Sequence, residues 1–159
     1  MDLFTYTLCF LAALSIMEVV AILAHKYVMH GFLWVLHEPH HRPRERLFDL
    51  NDLFIPIFAV PSMVLIYYGT NGYPWALWAG LGIAAYGLVV YVGFHDIVVH
   101  HRIPHNWRPK GKYMTHIMQA HKLHHALEKK EGAVSFGFAY ASSIPVLRAQ
   151  MKAIESEQR

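Results

Sequence analysis

Two apolar stretches dominate the hydropathy pattern of the chain. Between Leu3 and Ala24 the one charged residue is Glu18, and between Leu53 and Phe94 there is none. A single membrane crossing takes roughly 20 apolar residues, so the second stretch is long enough for two. Gly69-Thr70-Asn71-Gly72-Tyr73-Pro74 divides it with a strong turn signal. The pattern therefore predicts spans over about residues 3–24, 53–69 and 75–94. The middle span is short and contains Pro56 and Pro61, which predicts a tilt or a kink. The first stretch has neither a basic start nor a small-residue cleavage site, so it reads as a span and not as a leader. Downstream, Met114, Ile117, Met118 and His121 have the spacing of one helical face within Gly111 to His125. Val134 to Leu147 is apolar but broken by Gly137, Ser142, Ser143 and Pro145. This predicts a segment lying on or dipping into the bilayer, not a fourth span.

The length of 159 residues leaves room for a single domain, 1–159. The chain is 55% hydrophobic and only 16% charged, which is apolar for a soluble domain. Cys9 is the sole cysteine, so a disulfide framework and a cysteine metal site are both excluded. The hairpin 53–94 returns the chain to the side it left, and all 14 Lys and Arg residues, from Lys26 to Arg159, fall on that side. A basic bias in short loops marks the cytoplasmic face, which places Met1 outside and the histidines in the cytoplasm. The predicted fold is an all-α integral membrane protein with about three transmembrane helices and a cytoplasmic, histidine-rich helical cap.

Histidine is what turns this fold toward chemistry. All 13 histidines fall within residues 25–41 and 95–125. His25 and His30 (HKYVMH) and His95 and His100 (HDIVVH) stand at i, i+5. His37, His40 and His41 (HEPHH) and His121, His124 and His125 (HKLHH) stand at i, i+3, i+4. Each triplet lies on one helical face, so each could present its imidazoles to one place. Pro39 confines the first triplet to the start of a helix. Members of an i, i+5 pair diverge by roughly 140° on a regular helix. Either the helix widens into a π-bulge or the two members serve different metals. Two sets of five candidate ligands suit two metal ions, and an all-nitrogen set favours Fe, Zn, Cu or Ni over Mg or Ca. A lone histidine at a membrane edge is ordinarily an interfacial group; the duplicated spacing on one side argues for ligands.

Other residues are weighed against this pattern. His101 could replace His100 or add a ligand, whereas His105 and His116 read as surface or outer groups. Asp96, Glu38, Asp49, Asn51 and Asp52 are candidates to orient imidazoles through their second nitrogen, against the plainer reading of solvated polar groups. Glu18 is ionisable within a span and so a functional candidate by default. It lies two turns deeper than His25 on nearly the same helical face. It either supports the metal site or is a buried neutral acid facing another helix. Glu18 and Asp96 are the candidate catalytic residues. A membrane metal transporter or storage protein would place histidines along the spans, and the three predicted spans contain none.

The run MEVVAILAHKYVMHG (17–31), the boxes HEPHH, HDIVVH and AHKLHHA, the NDL at 51–53 and the VSFGFAYA at 134–141 resemble the bacterial β-carotene hydroxylases. These belong to the fatty-acid-hydroxylase and sterol-desaturase superfamily of membrane iron proteins. The resemblance covers roughly residues 15–148 and implies the box histidines as ligands of two non-haem iron ions. It further implies O2 as co-substrate, electrons from ferredoxin, hydroxylation at C3 of the β-ionone rings, and a place in the bacterial inner membrane. The stretch RIPHNWRPKGKY after His101 and Ser142-Ser143-Ile144 depart from the family pattern, which leaves the preferred carotenoid open. A ketolase acting on the same ring, or a hydroxylase of fatty acyl or sterol substrates, would share the boxes. Chemistry agrees with an oxygenase: a carotenoid ring carbon has no acidic proton and no leaving group, so an activated oxygen species must do the work. Lys110, Lys112, Lys129 and Lys130 could dock an acidic ferredoxin, or serve topology alone.

Overall fold

The computed structural model describes residues 2–43, 47–127 and 129–157, and every regular element among them is helical. Helix α1 (Leu3–Leu23) starts at Asp2, whose carboxylate accepts the Thr5 N–H at 2.9 Å. It runs on as a widened π-helical stretch over Ala24–Phe32. A short helix α2 (Trp34–His37) and a 3₁₀ turn (Glu38–His41) follow, with Pro39 at the start of the turn as its missing N–H requires. A second 3₁₀ turn (Leu50–Leu53) leads into α3 (Phe54–Thr70). Gly72, at φ +107°, makes the tight reversal into α4 (Pro74–Ala85), which continues as a π-helix over Tyr86–Val99. The cap is completed by α5 (Lys112–His124) and α6 (Ile144–Glu157). Met1 and Arg159, to which the sequence assigns opposite sides of the membrane, lie outside the described residues, as do Arg44 and Arg46 of the basic set.

Among the described residues, three helical stretches are long and apolar enough to cross a membrane: Leu3–Phe32, Leu50–Thr70 and Pro74–Val99. They match the predicted spans, but the first and third run further, through His25, His30 and His95. Their outer faces expose Leu8, Ile16, Val19, Val60, Met63 and Val89, which suits lipid and not water. Small residues make the closest backbone approaches between the helices. Ser62 donates its hydroxyl to the Gly80 carbonyl at 2.7 Å, and a Cβ on Gly82 would stand 2.5 Å from the Phe10 carbonyl of α1. Met17, Ala21, Tyr86 and Phe138 form one core cluster among these helices. Ala120, Val134 and Leu147 form a second, where α5 meets α6.

As the sequence predicts, the stretch Val134–Leu147 is not among the helices long and apolar enough to span. Residues 133–143 have no regular structure and pass through the histidine region, and α6 begins at Ile144. Val134, Phe138 and Leu147 are buried, whereas Tyr140 and Val146 are exposed.

Candidate metal centre

The histidines assemble into two groups of five. His25, His30, His37, His41 and His124 form one, and His40, His95, His100, His121 and His125 the other. Within each group one ring nitrogen per residue lies within 4.8 Å of all the others. Ligands trans across a metal with bonds of about 2.1 Å stand roughly 4.2 Å apart, so this spacing fits one cation per group. His101, His105 and His116 belong to neither group. His101 sits at φ +52° with its ring stacked on His105, whose Nε2 donates to the Ile97 carbonyl at 2.8 Å. His116 Nε2 donates to the Ala141 carbonyl at 3.3 Å.

The π-helical widening resolves the i, i+5 pairs. His25 and His30 lie in the widened end of α1, and the widened end of α4 delivers His95 and His100, so each pair enters a single group. The triplets correct the sequence reading. Each splits: i and i+4 join one group, and i+3 joins the other. On a helix i and i+4 differ by roughly 40°, whereas i+3 and i+4 differ by roughly 100°. A triplet can therefore straddle two centres. The groups exchange equivalent members, with His40 from the first triplet in one and His124 from the second in the other. The duplication in the sequence is thus an interlock in space, and the His41 and His125 rings stack across it at 4.3 Å.

The outer nitrogens explain why the inner ones converge. Nδ1 of His25, His30, His41 and His124 donates to the carbonyls of Phe136, Lys130, Leu127 and Val134 at 2.9, 3.0, 3.3 and 3.0 Å. His37 Nδ1 donates to Asn51 Oδ1 at 2.8 Å. A carbonyl oxygen only accepts, so each Nδ1 carries the hydrogen and the neutral ring leaves Nε2 bare. These bare nitrogens face one another at 3.0 Å (His25–His37), 3.2 Å (His30–His124) and 3.1 Å (His30–His41). Lone pairs at such distances repel unless a cation lies among them. Protonation is not the remedy. Burial, reinforced by neighbouring imidazoles, holds His37 down to about 3 and His41 to about 4. Burial also holds His40, His121, His124 and His125 well below the ordinary histidine range. In the second group His95 Nδ1 donates to Asp96 Oδ1 at 2.8 Å, and His125 Nε2 is buried without a hydrogen-bond partner. Both donor sets fit a metal ion.

Glu18 serves this arrangement at one remove. Its Oε1 accepts the backbone N–H groups of Phe138, Ala139 and Tyr140 at 3.0, 3.0 and 2.9 Å, and its Oε2 accepts the Tyr86 hydroxyl at 2.5 Å. The carboxylate thereby ties the segment that carries the Phe136 carbonyl to α1. Replacing Glu18 with Gln keeps the shape but removes the charge from these bonds, which are worth about twice neutral ones. The variant should insert normally and turn over about tenfold more slowly, measured as product per membrane-inserted chain.

A cavity of about 310 Å³ lies beside the histidines. Its wall is apolar, from Met17, Met29, Phe58, Ile83, Tyr91 and Phe138 among others. It reaches the outer surface at Ile55, Met63 and Leu88, which are exposed. At its inner end the Phe138 ring stands 4.6 Å from His95 and 5.4 Å from His25, one member of each group, and Tyr91 stacks on His95 at 5.1 Å.

A sequence model of the fatty acid hydroxylase family matches residues 10–147, which takes in every histidine of both groups. The chain belongs to the fatty acid hydroxylase family. This is a family of histidine-box metal enzymes, and the clustered histidines agree with it. Among relatives, the chain is 47% identical over 137 residues to a β-carotene hydroxylase of Pantoea ananas, covering 86% of this chain and 77% of that one. It is 37% identical over 149 residues to a β-carotene hydroxylase of Paracoccus sp. (strain PC1), covering 93% and 91%. A chloroplastic β-carotene hydroxylase of Capsicum annuum is 42% identical over 126 residues, 77% of this chain and 39% of the plant protein. No solved structure matches the chain.

The sequence missed the carbonyls of Leu127, Lys130, Val134 and Phe136 as partners of the histidines. A backbone carbonyl has no residue type to mark it. The one available signal was an apolar run with a glycine at its centre, VSFGFAYA.

Proposed function

We propose that this chain is a carotenoid hydroxylase that converts β-carotene to β-cryptoxanthin and then zeaxanthin by adding hydroxyl at C3 of each β-ionone ring. The carrying observation is the apolar cavity that reaches the surface at the exposed Ile55, Met63 and Leu88 and whose lining residue Phe138 contacts one histidine of each group. A ring with a long hydrocarbon tail can enter such a cavity while the tail stays in the bilayer. The names of the bacterial relatives support the substrate.

The ten grouped histidines would hold two iron ions, which when bound supply O2 activation. The overall stoichiometry is one C–H, one O2, two electrons and two protons giving C–OH and water. The chain's own contribution is placement. The carbonyls of Phe136 and Val134 and the Asn51 amide fix ring orientation, and Asp96 aligns His95. Phe138, Tyr91 and Met29 line the approach and exclude water from it. The exposed Lys110, Lys112, Lys129 and Lys130 would dock an acidic ferredoxin on the cytoplasmic side of the bacterial inner membrane. Lys130 also supplies the carbonyl that holds His30, so the docking face adjoins one histidine group.

Pigment analysis tests the reading. In a bacterial host that accumulates β-carotene, expression should yield β-cryptoxanthin first and zeaxanthin later, and only with O2 and iron supplied. Echinenone or canthaxanthin would make the chain a ketolase. Unchanged β-carotene with hydroxylated fatty acids in the lipids would move it to acyl substrates.

A further inference from the structure

The turn after the second histidine pair carries an arginine that belongs to neither group. Arg102 Nη2 donates to Asp96 Oδ2 at 2.9 Å and also to Asp52 Oδ1, and Nη1 reaches Asp52 Oδ2 at 3.4 Å. The side chains are 12% (Arg102), 13% (Asp52) and 2% (Asp96) exposed, so the three ions are largely withdrawn from water. The Arg102 backbone N–H donates to the Asp96 carbonyl at 3.0 Å, which fixes the turn from which the guanidinium springs.

The two carboxylates lead to different histidine groups. Asp96 Oδ1 accepts the hydrogen of His95 Nδ1 at 2.8 Å. Asp52 Oδ2 accepts the Asp49 N–H at 3.0 Å, and Asp49 Oδ1 accepts the Asn51 N–H at 2.8 Å, so the pair closes the turn Leu50–Leu53. That turn presents Asn51 Oδ1 to His37 of the other group. Asn51 Nδ2 in turn donates to the Tyr91 hydroxyl at 3.0 Å.

We propose that Arg102 is a positioning residue shared by both metal sites, aligning His95 through Asp96 and His37 through Asp52 and Asn51. The inference rests on reading the grouped histidines as ligands of two metals. A guanidinium fork suits this task because its planar donors can serve two carboxylates at once, whereas a lysine ammonium is a single point of charge. Removing the cation takes away the positive charge that both carboxylates share. Asp96 then loses the contact that aims it at His95, and the turn holding Asn51 loses its tie to the helix end. Loss of such outer partners weakens metal binding by about 10- to 100-fold.

The test is titration of Co(II), whose visible bands report ligand geometry, into the metal-depleted full-length protein in lipid nanodiscs. The unsubstituted chain should take up two equivalents; fewer would overturn the ligand reading and this inference with it. With two bound, Arg102→Gln should weaken both equivalents about 10- to 100-fold and shift the bands, and Arg102→Lys should fall between. Asp52→Asn and Asp96→Asn should each weaken a different equivalent. Unchanged affinity and bands in Arg102→Gln, or a loss confined to one equivalent, would overturn this inference while leaving the ligand reading intact. Should Arg102→Gln fail to fold, the two aspartate variants decide: both weakening the same equivalent, or neither weakening any, overturns it.

Discussion

Replacing His25 or His124 with alanine should reduce hydroxylation to background while the protein still reaches the membrane. Both rings are nearly or fully buried, at 1% and 0% exposure, and both aim Nε2 into the same group. Each substitution removes a metal ligand and leaves the opposing carbonyl, Phe136 for His25 and Val134 for His124, without its donor. Because the ligands act as a unit, the double variant should be no worse than either single one. His105→Ala and His116→Ala should stay within about twofold of the parent, since those rings belong to neither group and donate to backbone carbonyls. Zeaxanthin formed per chain in isolated membranes is the readout. Near-full activity in either grouped-histidine variant would count against the assignment.

Gly137→Ala should be nearly as damaging without touching a histidine. A Cβ there would lie 2.3 Å from the Tyr140 carbonyl and 2.6 Å from Glu18 Oε1, both closer than atoms tolerate. The tightest clash is with backbone, so the segment itself must move. That motion carries the Phe136 carbonyl away from His25 and the Phe138 N–H away from Glu18. Overpacking of this kind costs about 1–3 kcal/mol of stability, and losing an outer partner weakens metal about 10- to 100-fold. Activity and metal retention should therefore fall together. Gly111→Ala is the control, because nothing lies within 4 Å of a Cβ at Gly111 and it does not line the cavity. Full activity in Gly137→Ala would mean that the segment does not hold the site.

The three spans were legible because uninterrupted apolar sequence needs no partner to be read. The i, i+5 pairs were legible as a choice between a widened helix and two separate metals; the structure takes the widened helix and keeps each pair in one group. The splitting of the triplets was not legible. The roughly 100° between i+3 and i+4 is compatible with one centre or two. Only the approach of the His124 and His125 rings to His40 and His41 decides it, and that is a tertiary fact. Arg102 escaped notice for a similar reason. In sequence it looks like one more cytoplasmic cation, and its two carboxylate partners come from different elements, the Leu50–Leu53 turn and the end of α4. Glu18 stood out as an ionisable residue within a span, but three of its partners are backbone amides more than a hundred residues away.

The interlocked pair of metal sites is most directly tested by counting metal. Iron per chain in the purified, active protein should be two, and it should fall in His25→Ala and likewise in His121→Ala, which lie in different groups. Two irons retained in both variants, or full activity with one iron or none, would contradict the two-centre account.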